Sequence, residues 1–105
     1  MQATQEQLIQ LVNRIVDAVH PLRIILFGSA TRGEMGPDSD VDVMVVMPNG
    51  THRRDTAMYL HQCMLGMGIA VDFVVATPAV LEKYKDTRGL IYRNIIREGM
   101  ELYAA

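Results

Sequence analysis

Residues 24–46 read IILFGSATRGEMGPDSDVDVMVV, two apolar runs joined by a polar connection. Gly28 and Ser29 close the first run, and Asp40, Val41 and Asp42 open the second. Strand side chains alternate between faces, so Asp40 and Asp42 project to the same side. Two carboxylates on one face repel each other, and a divalent cation relieves that repulsion. Hard ions such as Mg²⁺ take a few carboxylates together with waters and substrate phosphates. The other half of the stretch suits the phosphates. Gly28 lets the backbone approach closely after a strand, and Ser29 offers a hydroxyl at the start of a predicted short helix over 29–35, where free N–H groups favour an anion. Ten residues separate Ser29 from Asp40, enough for the chain to leave the sheet, make a phosphate turn and return on a neighbouring strand. The plainer alternative makes Asp40 and Asp42 a solvated strand entrance after a Pro37-Asp38 turn.

Around this stretch the chain alternates helix and strand. Leu8, Leu11, Val12, Ile15, Val16 and Val19 recur at helical spacing between Thr4 and His20, and Pro21 stops that helix. Leu22 to Phe27 predicts a buried strand and Val41 to Met47 a central one, broken by Pro48, Asn49 and Gly50. Thr51 is the expected cap of a helix from about His52 to Gly66. Ile69 to Val75 alternates into a third strand, with Ile69, Val71, Phe73 and Val75 on one face and Asp72 on the other. An aspartate in the middle of such a strand is costly to bury unless a cation or hydrogen bonds compensate, so Asp72 is a candidate third metal ligand; a paired or exposed strand aspartate is the alternative. Thr77 and Pro78 open a helix to about Lys85, and another is expected from Thr87 to Gly99, packing Leu90, Ile91 and Ile95. Met100 to Tyr103 suits an edge strand.

The pattern of Gly28 and Ser29, ten residues, then Asp40 and Asp42 resembles the signature of the nucleotidyltransferase superfamily related to DNA polymerase β, and the short length resembles its minimal nucleotidyltransferase branch. Arg32, Gly33 and residues 37–40 fall within the motif, and Asp72 matches a third acid carried on a later strand. The resemblance implies an α/β fold, a small mixed β-sheet covered by helices like the polymerase-β palm, in one domain over residues 1–105. It also implies an enzyme that transfers a nucleotide from a triphosphate, ATP in this branch, to a hydroxyl. Asp40 and Asp42 then bridge two Mg²⁺ ions and Asp72 holds the acceptor-side ion. Gly28 and Ser29 hold the leaving phosphates, with Arg32 and Ser39 as further nucleotide-binding positions. Arg32 also reads as a solvated surface arginine, and Ser39 as an ordinary turn residue. Members of this branch are often antitoxins, and the implied acceptor is a tyrosine on a HEPN-domain ribonuclease toxin, silenced by adenylylation. An antitoxin that inhibits by binding alone, or an enzyme acting on a small-molecule hydroxyl, is the competing expectation.

Composition limits the remaining classes. Half of the 105 residues are hydrophobic and 21% are charged, as in a folded domain rather than a disordered chain. A net charge of −2 leaves no broad basic footprint, so direct nucleic-acid binding is disfavoured. The single cysteine, Cys63, excludes an internal disulfide. Neither a signal peptide nor a membrane-spanning run is visible, and the expected setting is soluble and cytoplasmic; assembly on a toxin partner is what the resemblance implies. The eight methionines suit adaptable core filling. Arg53 and Arg54, like the Arg93 and Arg97 pair four residues apart, read either as partner contacts or as solvated charges.

Overall fold

The computed structural model describes residues 5–28 and 41–105. Its centre is the pair of apolar runs just quoted. β1 (Arg23–Phe27) and β2 (Val41–Val46) lie antiparallel, with Ile25 opposite Met44 and Phe27 opposite Asp42. β2 is rich in β-branched residues and buried on both faces from Val43 to Val46, as expected of an inner strand. On its far side it pairs in parallel with β3 (Val71–Ala76), and a parallel neighbour requires a crossover, supplied by α2 (Arg53–Cys63). β4 (Met100–Ala104) pairs antiparallel with the other edge of β1, giving the order β3-β2-β1-β4. The expected edge strand is therefore present. A register shift between Ile24 and Ile25 turns both Leu102 and Tyr103 towards the same core, as a β-bulge does.

Alternation divides the strands between two apolar layers. Ile24, Leu26, Val41, Val43, Val45, Val71 and Val75 face α1 (Gln5–Val19) and α2, meeting Leu11, Ile15 and Leu60. Ile25, Met44, Val46 and Ala76 face the opposite way, against Ile95 of α4 (Ile91–Glu98) and the partly buried Leu81 of α3 (Pro78–Tyr84). The second layer is the thinner one.

Helix ends account for most differences from the sequence expectations. α1 closes on His20, in a left-handed conformation at φ 48°, before Pro21. α2 is capped by His52 rather than Thr51: the His52 Nδ1 accepts from the Asp55 N–H at 3.2 Å, while the Thr51 hydroxyl is turned back to donate to the Pro48 carbonyl at 2.7 Å. α3 begins as expected, with the Thr77 hydroxyl accepting from the Val80 N–H. α4 starts four residues later than expected, because Gly89 at φ 84° and an extended Leu90 precede it. Consequently only Ile95 of the three expected packing residues is buried; Leu90 and Ile91 are 39% and 45% exposed.

Candidate active site

Asp42 is the second residue of β2 and Asp72 the second of β3. The parallel register sets them directly opposite each other, so both side chains leave the sheet on the same face. That is the face of the thinner layer, and the two residues lie at the end of the sheet where β1 finishes and β2 and β3 begin. Neighbouring strands run about 4.8 Å apart, a spacing at which two carboxylates repel by an amount on the order of 1 kcal/mol or more, depending on screening. Asp42 is half-buried and Asp72 is exposed. The expectation of a mid-strand Asp72 under a heavy desolvation penalty is therefore corrected: it stands near the strand's start, in solvent, and what distinguishes it is its alignment with Asp42.

Gly28 completes the described part of the site. It follows β1 at φ +76°, a conformation that favours glycine. A Cβ built on it would lie 2.5 Å from Oδ2 of Asp42 and 3.4 Å from its Cγ. The backbone at Gly28 and the carboxylate of Asp42 thus share a space that no larger residue leaves free. Gly28, Asp42 and Asp72 form one row across the end of three strands. Ser29, Arg32, Ser39 and Asp40, together with the predicted helix over 29–35 and the turn after it, lie outside the described residues.

Among the described residues no cluster of three or more His, Cys, Asp or Glu side chains forms a complete metal-binding set. The Asp42 and Asp72 pair nevertheless fits a hard divalent cation in donor chemistry: all-oxygen, doubly anionic and aligned on one face.

Beyond Asp72 the structure adds a feature that sequence reasoning missed. A cavity of about 290 Å³ opens between the end of α2 and the start of β3, lined by His61, Met64, Leu65, Ile69, Ala70, Val71 and Asp72. The signal was faint, because Met64 and Leu65 read as the apolar side of a helix. In the structure they belong to a turn after α2, and the carbonyls of Cys63 at the helix end and Leu65 in the turn accept hydrogen bonds from the Arg14 guanidinium at 3.1 and 3.3 Å.

A four-stranded mixed sheet flanked by helices, with aligned acids at the strand ends beside a glycine turn, defines a nucleotidyltransferase-like domain. The chain belongs to the nucleotidyltransferase domain family, whose model matches residues 6–100. Domains of this family work in general on a nucleoside triphosphate with a divalent metal. Among solved structures, one from Sulfolobus solfataricus, described as a "putative nucleotidyltransferase", is similar at 19% identity with a TM-score of 0.60, over 94% of this chain and 85% of that one. At that identity the likeness is one of fold. Among curated proteins none matches this sequence. No described helix is long and apolar enough to cross a membrane.

Proposed function

We propose that this domain transfers AMP from ATP to a protein hydroxyl, and that the acceptor is a tyrosine of a HEPN-domain ribonuclease for which it serves as antitoxin. The observation that carries the catalytic reading is the register of Asp42 against Asp72 with Gly28 packed over Asp42. The partner and the tyrosine rest on the resemblance of this short chain, with its Gly28 to Asp42 pattern, to the minimal nucleotidyltransferase branch.

In the proposed reaction the acceptor oxygen forms a bond to the α-phosphorus. The bond from that phosphorus to the oxygen bridging the β-phosphate breaks, and pyrophosphate leaves with the electron pair. Asp72, the more exposed acid, takes the acceptor's proton; Asp42 and Asp40 hold the charge-compensating site together with it. Divalent ions, Mg²⁺ by donor type, would supply charge neutralisation of the triphosphate and activation of the attacking oxygen. Gly28, having no side chain, leaves the carboxylate of Asp42 accessible beside the backbone. An adenylyl group on the partner adds negative charge and bulk, which repels RNA phosphates and blocks access to a ribonuclease site.

The test combines this protein, a HEPN-domain protein encoded beside it, ATP and Mg²⁺. The expected result is one or more AMP units of added mass on the partner and loss of its RNA cleavage, both abolished in the Asp42→Asn, Asp72→Asn protein. Inhibition with no mass change, persisting in that double variant, refutes the enzymatic reading in favour of occlusion by binding.

A further inference from the structure

Among the described residues β4 has no strand on its outer side. Its inner side pairs with β1, and the ladder runs on to the Ala105 N–H, which donates to the Leu22 carbonyl at 2.8 Å. A bare edge offers a row of backbone donors and acceptors to any extended chain, and proteins that must keep it bare guard it with Lys, Pro or inward-pointing charge. β4 reads Met-Glu-Leu-Tyr-Ala and carries one charge. That charge, Glu101, lies opposite Ile25 on the side away from α1 and is held by Arg23 at 2.8 Å. The side of β4 beneath α1 presents Met100, Leu102 and Tyr103 and no charge. The register shift at Leu102 shortens the regular ladder, so side chains must contribute to any docking there.

Beside this edge lies a cavity of about 310 Å³. Leu8, Ile9 and Val12 of α1 form one wall, and Met100 and Leu102 of β4 the other. No residue of β1 lines it, so it opens outward from β4, where a fifth strand would lie. Side chains alternate along a strand, so every second one on an added strand would point towards α1 and enter this space. Ile9 is 55% exposed and Met100 48%, and covering them removes apolar surface from water. The polar members of the lining are the neutral Gln5 and Asn13, so the space suits an aliphatic or aromatic side chain.

Carboxylates border the groove. Glu6 follows Gln5, and Glu98 precedes Met100 by two residues; both are exposed, and neither is paired with a cation among the described residues. Arg23 is already held by Glu101. A basic segment is therefore matched in charge. A second copy of this chain is not, because twofold pairing of β4 with β4 brings the same carboxylates to a shared rim.

We propose that the outer edge of β4 and the groove beneath α1 dock an extended segment of a partner protein, apolar at alternate positions and basic at its ends. Backbone hydrogen bonds to β4 supply affinity, and the cavity selects the side chain. The selected side chains enter on the α1 side, opposite to Asp42 and Asp72, and β1 stands between β4 and β2. Docking thus leaves the candidate active site open and is independent of the catalytic reading.

The probe is a capped peptide, Lys-Thr-Leu-Thr-Leu-Thr-Lys, titrated into isotope-labelled protein and followed by NMR. Methyls of Leu8, Ile9, Val12 and Met100 should shift in a saturable manner and the β4 amides should exchange more slowly, while Ile95 and Leu81, on the other layer, stay unmoved. Ile9→Asn, at an exposed position, should weaken binding about tenfold with little change in Tm. Glu6→Gln with Glu98→Gln, both at exposed positions, should weaken it about twofold or more at low ionic strength. A peptide with Asn in place of both leucines should give no saturable shift, and one with Glu in place of both lysines should bind several-fold more weakly. No saturable shift in the groove, or equal binding of the asparagine peptide, overturns the docking site. Equal binding of the glutamate peptide overturns the charge assigned to its occupant. Sedimentation equilibrium should show a monomer; a dimer that Ile9→Asn dissociates overturns the partner in favour of a second copy.

Discussion

Gly28→Ala separates what the backbone requires of that position from what the site requires. At φ +76° an L-residue costs about 1–2 kcal/mol relative to the right-handed region. The added Cβ would stand 2.5 Å from Oδ2 of Asp42, so the carboxylate must retreat by roughly 1 Å to reach ordinary contact. Turning that side chain some 30° off its rotamer costs about 0.5–1.5 kcal/mol more. Gly50 provides the control: it sits at φ +90°, and a Cβ added there would meet nothing within 4 Å, so Gly50→Ala bears the backbone cost alone. For a domain of this size each kcal/mol lowers Tm by about 4–8 °C. Thermal unfolding should therefore show both variants destabilised and Gly28→Ala more so. With Mg²⁺ and ATP added, Gly50→Ala should retain the full ligand-induced rise, since a ligand specific to the folded state stabilises by mass action, whereas Gly28→Ala should lose most of it. Equal melting temperatures and equal ligand responses in the two variants would refute the argument that Gly28 is needed to keep Asp42 in place.

Thr77→Ala should cost about 1 kcal/mol in chemical denaturation, because the hydroxyl that caps α3 is lost, and Thr77→Ser should recover most of it. Ile95→Ala should destabilise by about 2–5 kcal/mol, since this 2% exposed residue anchors α4 on the thinner layer; a loss below about 1 kcal/mol in urea unfolding would mean α4 contributes little to that core. The Tyr59 phenol is held above the ordinary tyrosine value, first by its hydrogen bond to Cys63 and then by repulsion from the Cys63 thiolate. A raised value in the folded state means the interaction is fully present below the ordinary value near 10 and is lost as pH climbs through the raised one. Cys63→Ala should move the phenol's titration, read by tyrosine ring NMR, back down towards 10, and an unmoved curve would remove Cys63 as the cause.

The strands were legible because their burial is written in composition: Val43 to Val46 is apolar on both faces, and only an inner strand takes such a run. Asp42 could be assigned to a face by parity alone. Asp72 could be assigned to a strand but not aligned with Asp42, because parallel register depends on the length of the α2 crossover and on how Leu60 and Met64 seat against Val71 and Val75. The caps show the limit of local rules. Thr51 is the better capping residue by type, yet its hydroxyl serves the Pro48 turn, while Asn49 next to it reaches across to accept from the Ala79 N–H at 2.9 Å. Helical spacing likewise ran through Leu90 and Ile91 without sensing that Gly89 turns the chain first. The cavity at Asp72 was invisible for a related reason: it is made by a turn and an edge strand brought together only in three dimensions.

The strand order also bears on how the chain reaches this state. β1 and β2 are sequence neighbours and can pair early, but β3 must wait for α2 to form and dock, because parallel pairing closes a long loop before any contact compensates for it. The last act of that docking carries the Asp72 carboxylate into line with one already in place at Asp42. Like charge then meets like charge late, on the folded side of the barrier, so the repulsion should speed unfolding more than it slows folding. Stopped-flow traces should accordingly show Mg²⁺ slowing the unfolding limb while leaving the refolding limb nearly unchanged, the kinetic outcome expected if the proposed metal site closes only when β3 docks.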